Sequence, residues 1–447
     1  MKTNSSKGKK SLNKVNIFFY KLNEKRINNI ALFTGFLVRK TKKIKPLYLF
    51  IGFYRMTMKN LNTYEDWSSE ISHLCGKTLS KQAVEDRMGC EATNMIRLVF
   101  QETLNSILLE KVQFQDKELI RKFNSIYADD STTLNLPEEL NEFFPGNVSR
   151  GKKKAQIKIH AMYNFSDNSF PYLSVHNYTE SDQGLAWNIL PLLKPNDLIL
   201  RDLGFQNLSI QKELIEKGIY FVSKKKSGVK VFDSENHKEI NLIRYLRKKR
   251  FFDAEVLVGA EDKVRMRLVI RPLSKEVAAE RKRKAKKDRD QRLNHSKEYY
   301  ELLGYSILLT NIPLEICDRK EISELYGLRW KIETIFKSWK SNFSLEKIIP
   351  ERCNNPERIN CIIYLMLILI LLYHTCWLGN KDLKEKNTEG NAPLSLLKLT
   401  KFFKQHFGAI ESGENNKTII KQLKKQCKYE TRNDRENTME KYHKLSA

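Results

Sequence analysis

One apolar segment restricts the possible folds more than any other feature of the chain: residues 361–378 (CIIYLMLILILLYHTCWL). Its length is at the lower edge of what a bilayer-spanning helix needs. A helix that is apolar on every side is also typical of the centre of a large domain. The polar stretch Tyr373 to Thr375 interrupts the segment near its end. We therefore favour a core helix in a protein without a membrane partner; a basic membrane-surface protein anchored by this segment is the alternative.

The charge of the chain points to a polyanionic partner. Its 447 residues include 80 Lys and Arg against 53 Asp and Glu, a formal net charge of +27. Such an excess attracts phosphates and gains free energy when counterions are released from them. Basic residues are spread along the chain, with peaks at residues 39–45, 224–230 and 281–292. This distribution favours a groove that follows a nucleic-acid backbone; a merely solvated basic surface is the alternative.

Length and cysteine usage indicate the class of protein and its compartment. A chain of 447 residues is long enough for two or three domains. The 7 cysteines are widely spaced, and no pair has the spacing of zinc ligands. Both facts favour reduced thiols. We therefore expect a cytoplasmic protein, associated with the nucleoid through its nucleic-acid partner.

The order of strand and helix patterns predicts an α/β fold. Alternating apolar residues in 155–164 and 170–177 predict a hairpin, and the stretch 197–223 reads strand, helix, strand. Together these predict a mixed sheet. We divide the chain into a helical region, 1–119, a first part of the α/β core, 120–228, an inserted β-rich and basic region, 229–312, a second part of the core, 313–412, and a polar tail, 413–447.

Two helical patterns suggest how nucleic acid is bound. Residues 64–75 and 81–87 flank Gly76, which resembles a helix-turn-helix; a corner of a helical bundle fits the same pattern equally well. Residues 275–294 are predicted to form a helix with almost no apolar face (RKRKAKKDRDQR). Such a helix is either solvated or rests on a partner's phosphates.

The most informative stretch is residues 321–341 (EISELYGLRWKIETIFKSWKS), which we predict to be one helix. At about 100° per residue, its large apolar residues fall on one side. These are Leu325, Leu328, Ile332, Ile335, Phe336 and Trp339. The opposite side presents Tyr326, Arg329, Glu333, Lys337 and Lys340, with Trp330 at its flank. The glutamate either forms ion pairs along the helix or binds a metal while the cations and the tyrosine hydroxyl hold phosphates.

The spacing of Tyr326, Arg329, Glu333 and Lys340 fits the signature Y-x2-R-x3-E-x6-K, and in this the chain resembles the insertion-sequence-four family of DDE transposases. Two further landmarks of that family occur in the expected order. The first is an aspartate at the end of a strand before a small residue and Thr, and the second is an aspartate at the end of a strand before a Gly-containing turn. The resemblance covers roughly residues 60–400.

The aspartates that fit these landmarks are Asp130, in the run ADDST, and Asp202, in the run RDLGF. Asp129 is the competing candidate for the first. Alternation along Ile126, Ala128 and Asp130 puts Asp130 on a face of small apolar residues. Asp129 would then point the other way, as a turn or hairpin acid. We therefore prefer Asp130.

The resemblance implies a ribonuclease-H-like mixed-sheet core, interrupted by the β-rich insertion and preceded by a helical DNA-binding region. It implies that Asp130, Asp202 and Glu333 are catalytic and hold two Mg²⁺ (or Mn²⁺) ions per active site. The implied function is that of an insertion-sequence transposase that cuts its ends and joins them to target DNA by two-metal-ion phosphoryl transfer. The implied route is cut-and-paste through a hairpin intermediate.

The same resemblance implies the partners. They are double-stranded DNA, as terminal inverted repeats and as target, and a second copy of the chain in the DNA complex. Tyr326, Arg329, Lys337 and Lys340 would bind DNA phosphates, and Trp330 would stack on a displaced base or serve only in packing. The N-terminal helices would read the terminal repeat, and the inserted region would cover DNA near the cleavage site. An inactive or domesticated transposase that binds DNA without cutting it is the alternative.

Overall fold

The computed structural model describes residues 22–38, 44–109, 122–149, 151–167, 169–287, 296–350, 353–374, 394–412 and 416–428. Parts of several predicted features lie outside these residues. They are the end of the basic helix, residues 288–294, the end of the apolar segment, residues 375–378, and most of the polar tail, residues 429–447.

The described chain before the first strand is helical, as predicted. Its helices are α1 (Glu24–Phe33), α2 (Pro46–Met58), α3 (Tyr64–Cys75), α4 (Lys81–Glu85) and α5 (Cys90–Leu109). Thr63 and Asp66 form a capping box that starts α3, and Gly76 ends it with a φ of +65°. Glycine is favoured there because a side chain is strained in the left-handed region. In α4, Val84 is buried and Glu85 pairs with Arg358 at 2.5 Å, so this short helix is fixed to the rest of the protein.

Ten strands form one mixed sheet within the described residues. They are β1 (Ile126–Leu136), β2 (Pro145–Ser149), β3 (Lys152–Asn164), β4 (Tyr172–Asn177), β5 (Leu198–Arg201), β6 (Tyr220–Lys224), β7 (Val231–Asp233), β8 (Phe252–Val258), β9 (Val264–Pro272) and β10 (Tyr305–Thr310). The predicted hairpin is confirmed as the antiparallel pair β3–β4, and β1 is antiparallel to β3. On its other edge β1 pairs in parallel with β5, which pairs in parallel with β6.

The predicted β-rich insertion continues this sheet. Strand β10 is antiparallel to β6 and also pairs with β9, and β8 and β7 follow in order. The strands of residues 229–312 therefore extend the α/β sheet beyond β6.

Eleven further α-helices lie in the described residues after β4. They are α6 (Asp182–Leu185), α7 (Leu208–Glu216), α8 (Leu242–Lys248), α9 (Lys275–Lys286), α10 (Lys297–Leu302), α11 (Arg319–Leu328), α12 (Trp330–Ser341), α13 (Pro356–Tyr373), α14 (Leu396–Gln405), α15 (Phe407–Ser412) and α16 (Asn416–Gln426). No residue of the basic helix α9 is buried, in agreement with its lack of an apolar face.

The prediction of one helix over residues 321–341 is wrong in one respect, because α11 and α12 are separate helices that meet at Arg329. The Arg329 amide donates to the carbonyl of Tyr326, and the Ile332 amide donates to the carbonyl of Arg329, both at 3.2 Å. These i→i−3 bonds tighten one turn in the manner of a 3-10 helix. The predicted apolar side is confirmed, since all six of its residues are buried.

The apolar segment forms α13, which is buried on every side from Cys361 to Tyr373. It packs against α5 and α2 of the N-terminal helices. Among the described residues it is the one helix long and apolar enough to cross a membrane, but buried core helices also meet that criterion. Its burial inside the protein confirms the core helix that the sequence favours.

The two faces of the sheet belong to two apolar cores. Ala128 and Leu200 lie in the larger core, together with α11 to α13 and the N-terminal helices. Tyr127 and Ile199 lie in the smaller core on the opposite face. Because side chains alternate along a strand, Asp130 faces the side of the larger core and Asp129 faces the smaller one.

Candidate active site

The two predicted aspartates lie side by side at the end of the β1–β5 pairing. The parallel register matches Ala128 with Leu200 and Asp129 with Arg201, and it stops there. Asp130 and Asp202 are the next residue of each chain. The prediction that Asp130 ends its strand is wrong, since β1 continues along β3 to Leu136. Asp130 instead marks the point at which the parallel neighbour of β1 ends.

Helices α11 and α12 bring the third acid to the same place. Arg329 Nη1 donates to Asp130 Oδ2 at 3.1 Å, and Arg329 Nη2 lies 3.8 Å from Asp202 Oδ1. The same guanidinium forms an ion pair with Glu333, one turn further along. The Tyr326 hydroxyl donates to Asp202 Oδ1 at 3.2 Å. The three predicted acids therefore meet around one arginine.

The pKa values of the two aspartates are shifted in opposite directions. Burial raises the pKa of Asp130 to about 7, although Arg329 beside it opposes this shift. Burial also acts to raise the pKa of Asp202, but Arg329 and Lys224 outweigh it and hold that pKa below its ordinary value. Burial acts to lower the pKa of Arg329, but Tyr326 and the surrounding carboxylates keep it well above its ordinary value. Asp202 is therefore ionised at neutral pH, whereas Asp130 titrates there.

Lys224 is a site residue that the sequence reasoning missed. Its Nζ lies 3.1 Å from Asp202 Oδ1 and 5.7 Å from the centre of the Tyr326 ring. A signal for it exists, because the basic peak at 224–230 begins where the predicted strand 218–223 ends. Parallel neighbours β5 and β6 end at the same edge of the sheet, so Lys224 follows from the same argument as Asp202.

Asp129 is not the turn or hairpin acid that the sequence suggested. It lies within β1 and is completely buried. Its Oδ1 is 2.6 Å from His160 Nε2, and its Oδ2 accepts from Arg201 Nε at 2.9 Å. A buried carboxylate needs such partners to offset the loss of solvation, and both lie on the far face of the sheet from Arg329.

The predicted DNA-binding residues fall into two groups. Tyr326 and Arg329 are buried and contact the carboxylates, so neither is exposed as the helical projection suggested. Lys340 Nζ donates to the carbonyl of Thr133 at 2.5 Å. Lys337 and Trp330 are exposed, Trp330 at 59%. The role of all five towards DNA stays a prediction.

The donor set suits a hard divalent cation. Three carboxylates provide the oxygen ligands that Mg²⁺ and Mn²⁺ prefer. Within the part of the chain that the structure describes, however, no three His, Cys, Asp or Glu side chains are placed to hold one ion between them. The Arg329 guanidinium lies among the three acids instead. The chemistry of Asp130, Asp202 and Glu333 thus fits the ions, and their present arrangement would accept one only after Arg329 moves.

A protein-family model and several known proteins match this chain. The family model for the transposase DDE domain matches residues 121–372. The chain is 26% identical to the transposase for insertion sequence element IS231F of Bacillus thuringiensis subsp. israelensis, over 79% of this chain and 77% of that protein. It is 24% identical to the transposase for insertion sequence element IS1151 of Clostridium perfringens, over 80% of this chain and 79% of that protein.

One similar solved structure is the piggyBac transposase synaptic complex with hairpin DNA. The similarity covers 94% of this chain and 86% of that chain, with 10% sequence identity and a TM-score of 0.46. A likeness this low carries no argument about the site.

Proposed function

This chain belongs to the transposase DDE-domain family, and on that premise we propose that it is an insertion-sequence transposase that cuts the ends of its element and joins them to target DNA. One observation carries the proposal. Asp130, Asp202 and Glu333 come from three distant parts of the chain and meet around Arg329. Once Arg329 moves away, these three carboxylates would offer the oxygen ligands that divalent ions need.

The topology supports a ribonuclease-H-like core. Strands β4, β3 and β1 are antiparallel neighbours, and β5 and β6 continue from β1 in parallel. The acids lie on β1, directly after β5 and on α12 against the same face. The core comprises residues 120–228 and 313–412, with residues 229–312 inserted between them.

Asp130, Asp202 and Glu333 would hold two Mg²⁺ or Mn²⁺ ions. When bound, such ions supply a lower pKa for an attacking water or 3′-hydroxyl and stabilise the leaving oxygen of an in-line displacement. The chain's own groups orient the DNA. Arg329 and Lys340 would bind backbone phosphates because a guanidinium and an ammonium form charge-assisted hydrogen bonds with phosphate oxygens. Tyr326 would donate a further hydrogen bond.

The exposed face of α12 would contact the DNA strand. Lys337 is an exposed cation on α12, four residues after Glu333, and would bind a phosphate. Trp330 exposes 59% of its surface one turn before Glu333, where its ring could stack on a displaced base. Such a base would be displaced if cleavage passes through a hairpin, as a cut-and-paste route of this kind implies.

The other regions would hold the rest of the DNA. The basic helix α9 would cover DNA near the cleavage site, and the N-terminal helices would read the terminal inverted repeats. A second copy of the chain would hold the other end of the element, and the active complex would form in the cytoplasm at the nucleoid. An inactive copy that only binds DNA is less well supported, because all three acids are intact.

A cleavage assay tests the proposal. The substrate is DNA carrying the sequences that flank the coding region, with Mg²⁺ or Mn²⁺ present. We expect the wild-type protein to nick the element ends and Glu333→Gln to bind the same DNA without nicking it. Glu324→Gln is the matched control, because Glu324 lies on α11 and its ion pair among the described residues is with Lys320, at 3.9 Å. Nicking by Glu333→Gln at the wild-type rate would refute the assigned site.

A further inference from the structure

The parallel pairing between β1 and β5 is short and ends at the candidate site. It joins residues 126–129 to residues 198–201, and its last pair is Asp129 and Arg201. Beyond this pair the chain turns through the 3-10 helix Leu203–Phe205. Ends of elements open at the lowest free energy in a folded protein. Asp130 and Asp202 directly follow this end. Their separation would vary unless another contact held β1 and β5 together.

A buried ion pair provides that contact. Arg201 Nε donates to Asp129 Oδ2 at 2.9 Å, with the two side chains exposed by 3% and 0%. The second carboxylate oxygen of Asp129 is 2.6 Å from Nε2 of His160, a fully buried residue of β3. Arg201 Nη2 also donates to the carbonyl of Ala186 at 2.9 Å. The pair therefore joins β1 to β5 and ties both to β3 and to the chain after α6.

The position of this pair relates it to the site. Asp129 directly precedes Asp130, and Arg201 directly precedes Asp202. Since side chains alternate along a strand, the ion pair lies on the reverse face of the sheet, behind the two candidate catalytic carboxylates. Hydrogen bonds between buried charged groups are short and directional, so they fix geometry more narrowly than apolar contacts would.

A second contact holds the chain just after the two aspartates. Asp182 Oδ1 accepts from the Ser131 hydroxyl and from Lys158 Nζ, each at 2.9 Å. Its Oδ2 lies against Gly204, where an added Cβ would come within 2.8 Å of that oxygen. Ser131 follows Asp130, and Gly204 is the second residue after Asp202. The two candidate catalytic residues therefore lie between the Asp129–Arg201 ion pair, which precedes them, and Asp182, which contacts the chain just after each of them.

We propose that Asp129 and Arg201 are positioning residues, whose buried ion pair sets the separation of Asp130 and Asp202. The proposal rests on the proposed function, because only a shared cation makes that separation matter for activity. It goes beyond the signature residues, none of which lies on the reverse face of the sheet. The competing explanation is that the pair contributes to stability alone.

A double replacement separates the two explanations. Removing one member of a buried ion pair is strongly destabilising, whereas replacing both by apolar residues is often neutral. The variant is therefore Asp129→Leu with Arg201→Met. Lys212→Met with Glu216→Gln is the control, because both side chains of that ion pair are exposed on the surface of α7. The readouts are urea unfolding, Mn²⁺ binding to the protein bound to DNA ends, and the rate of end cleavage.

If Asp129 and Arg201 are positioning residues, the double variant should have nearly the same midpoint of urea unfolding as the wild type and should bind DNA normally. Positioning also predicts Mn²⁺ binding and cleavage weaker by about 10- to 100-fold, the range found for groups that orient metal ligands. The control variant should match the wild type in every readout. A double variant that is stable and binds Mn²⁺ and cleaves as the wild type does would overturn the proposal.

If the double variant does not fold, Arg201→Lys decides the question. The lysine keeps the buried positive charge. It lacks the planar guanidinium, which donates to Asp129 and to the Ala186 carbonyl at the same time. Positioning predicts a folded protein with weakened Mn²⁺ binding and cleavage, and wild-type values for both would overturn it. A wild-type protein that neither binds Mn²⁺ nor cuts element ends would refute the proposed function itself, which is a different outcome.

Discussion

Arg329 determines the charge balance of the candidate site. Its side chain is 3% exposed and contacts Asp130, Asp202 and Glu333, so three acids share one buried cation. Lys224 contributes a second positive charge at Asp202. A guanidinium and a divalent cation would compete for the same carboxylate oxygens. Phosphate is also a good partner for a guanidinium, so bound DNA would draw Arg329 away from the acids.

Replacing Arg329 should uncouple the binding of metal from the binding of DNA. In the free protein, Arg329→Met should bind Mn²⁺ more tightly than the wild type does, because no guanidinium competes for the acids. It should cleave DNA poorly, because it lacks a phosphate contact. The measurement is a titration that follows the spectroscopic signal of free Mn²⁺. Lys337→Met is the control for the Mn²⁺ titration without DNA, since Lys337 is an exposed cation on α12. Equal Mn²⁺ affinity in the wild type and in Arg329→Met, both without DNA, would contradict this account of the site.

At the scale of the element, α13 illustrates the cost of placing a polar group in an apolar environment. His374 is the residue that caps the helix, and it is 4% exposed. Its Nε2 accepts from Trp339 Nε1 at 3.4 Å, so the ring is neutral. Burial lowers the pKa of His374 to about 3. In the unfolded chain the same residue titrates near its ordinary value, so protonation favours the unfolded state.

The free energy of unfolding should therefore decrease as the pH is lowered below about 6.5, the pKa of a histidine in the unfolded chain. The loss begins near that pH and continues down to the folded pKa. Between about pH 7.5 and about pH 5.5 His374 should contribute a loss of about 1 kcal/mol. His374→Gln keeps an acceptor for Trp339 and does not titrate, so its unfolding free energy should fall by that much less. Urea unfolding at both pH values measures the difference. Identical pH dependence in both proteins would show that His374 is not buried as described.

Strand β1 and helices α11 and α12 show which features of the site can be predicted from the sequence and which cannot. Alternation along β1 predicts that Asp130 and Asp129 face opposite sides, because a period of two is visible in one strand. The partner of Asp129 could not be predicted in this way. Arg201 lies 72 residues further along, and only the register between β1 and β5 brings the two together. The break between α11 and α12 at Arg329 is also not visible in the periodicity, since the apolar side continues across it.

At the scale of the whole molecule, one sheet and its two cores bring the site together. The N-terminal helices and α11 to α13 lie in the same, larger core. The buried apolar helix α13 therefore links the N-terminal helices to the second part of the α/β core. The sequence predicts this helix and the mixed sheet, because burial and strand order leave clear patterns. It does not predict that the insertion extends the sheet through β10, since antiparallel pairing of distant strands depends on long-range contacts.

The most direct test of the central claim is the location of Mn²⁺ in crystals of the protein bound to its DNA ends, by anomalous diffraction. We predict Mn²⁺ peaks directly coordinated by carboxylate oxygens of Asp130, Asp202 and Glu333, the ligands that hard divalent cations take. We also predict that Arg329 has turned towards a phosphate. Mn²⁺ bound elsewhere in a complex that cuts DNA, with Arg329 still among the three acids, would contradict that claim.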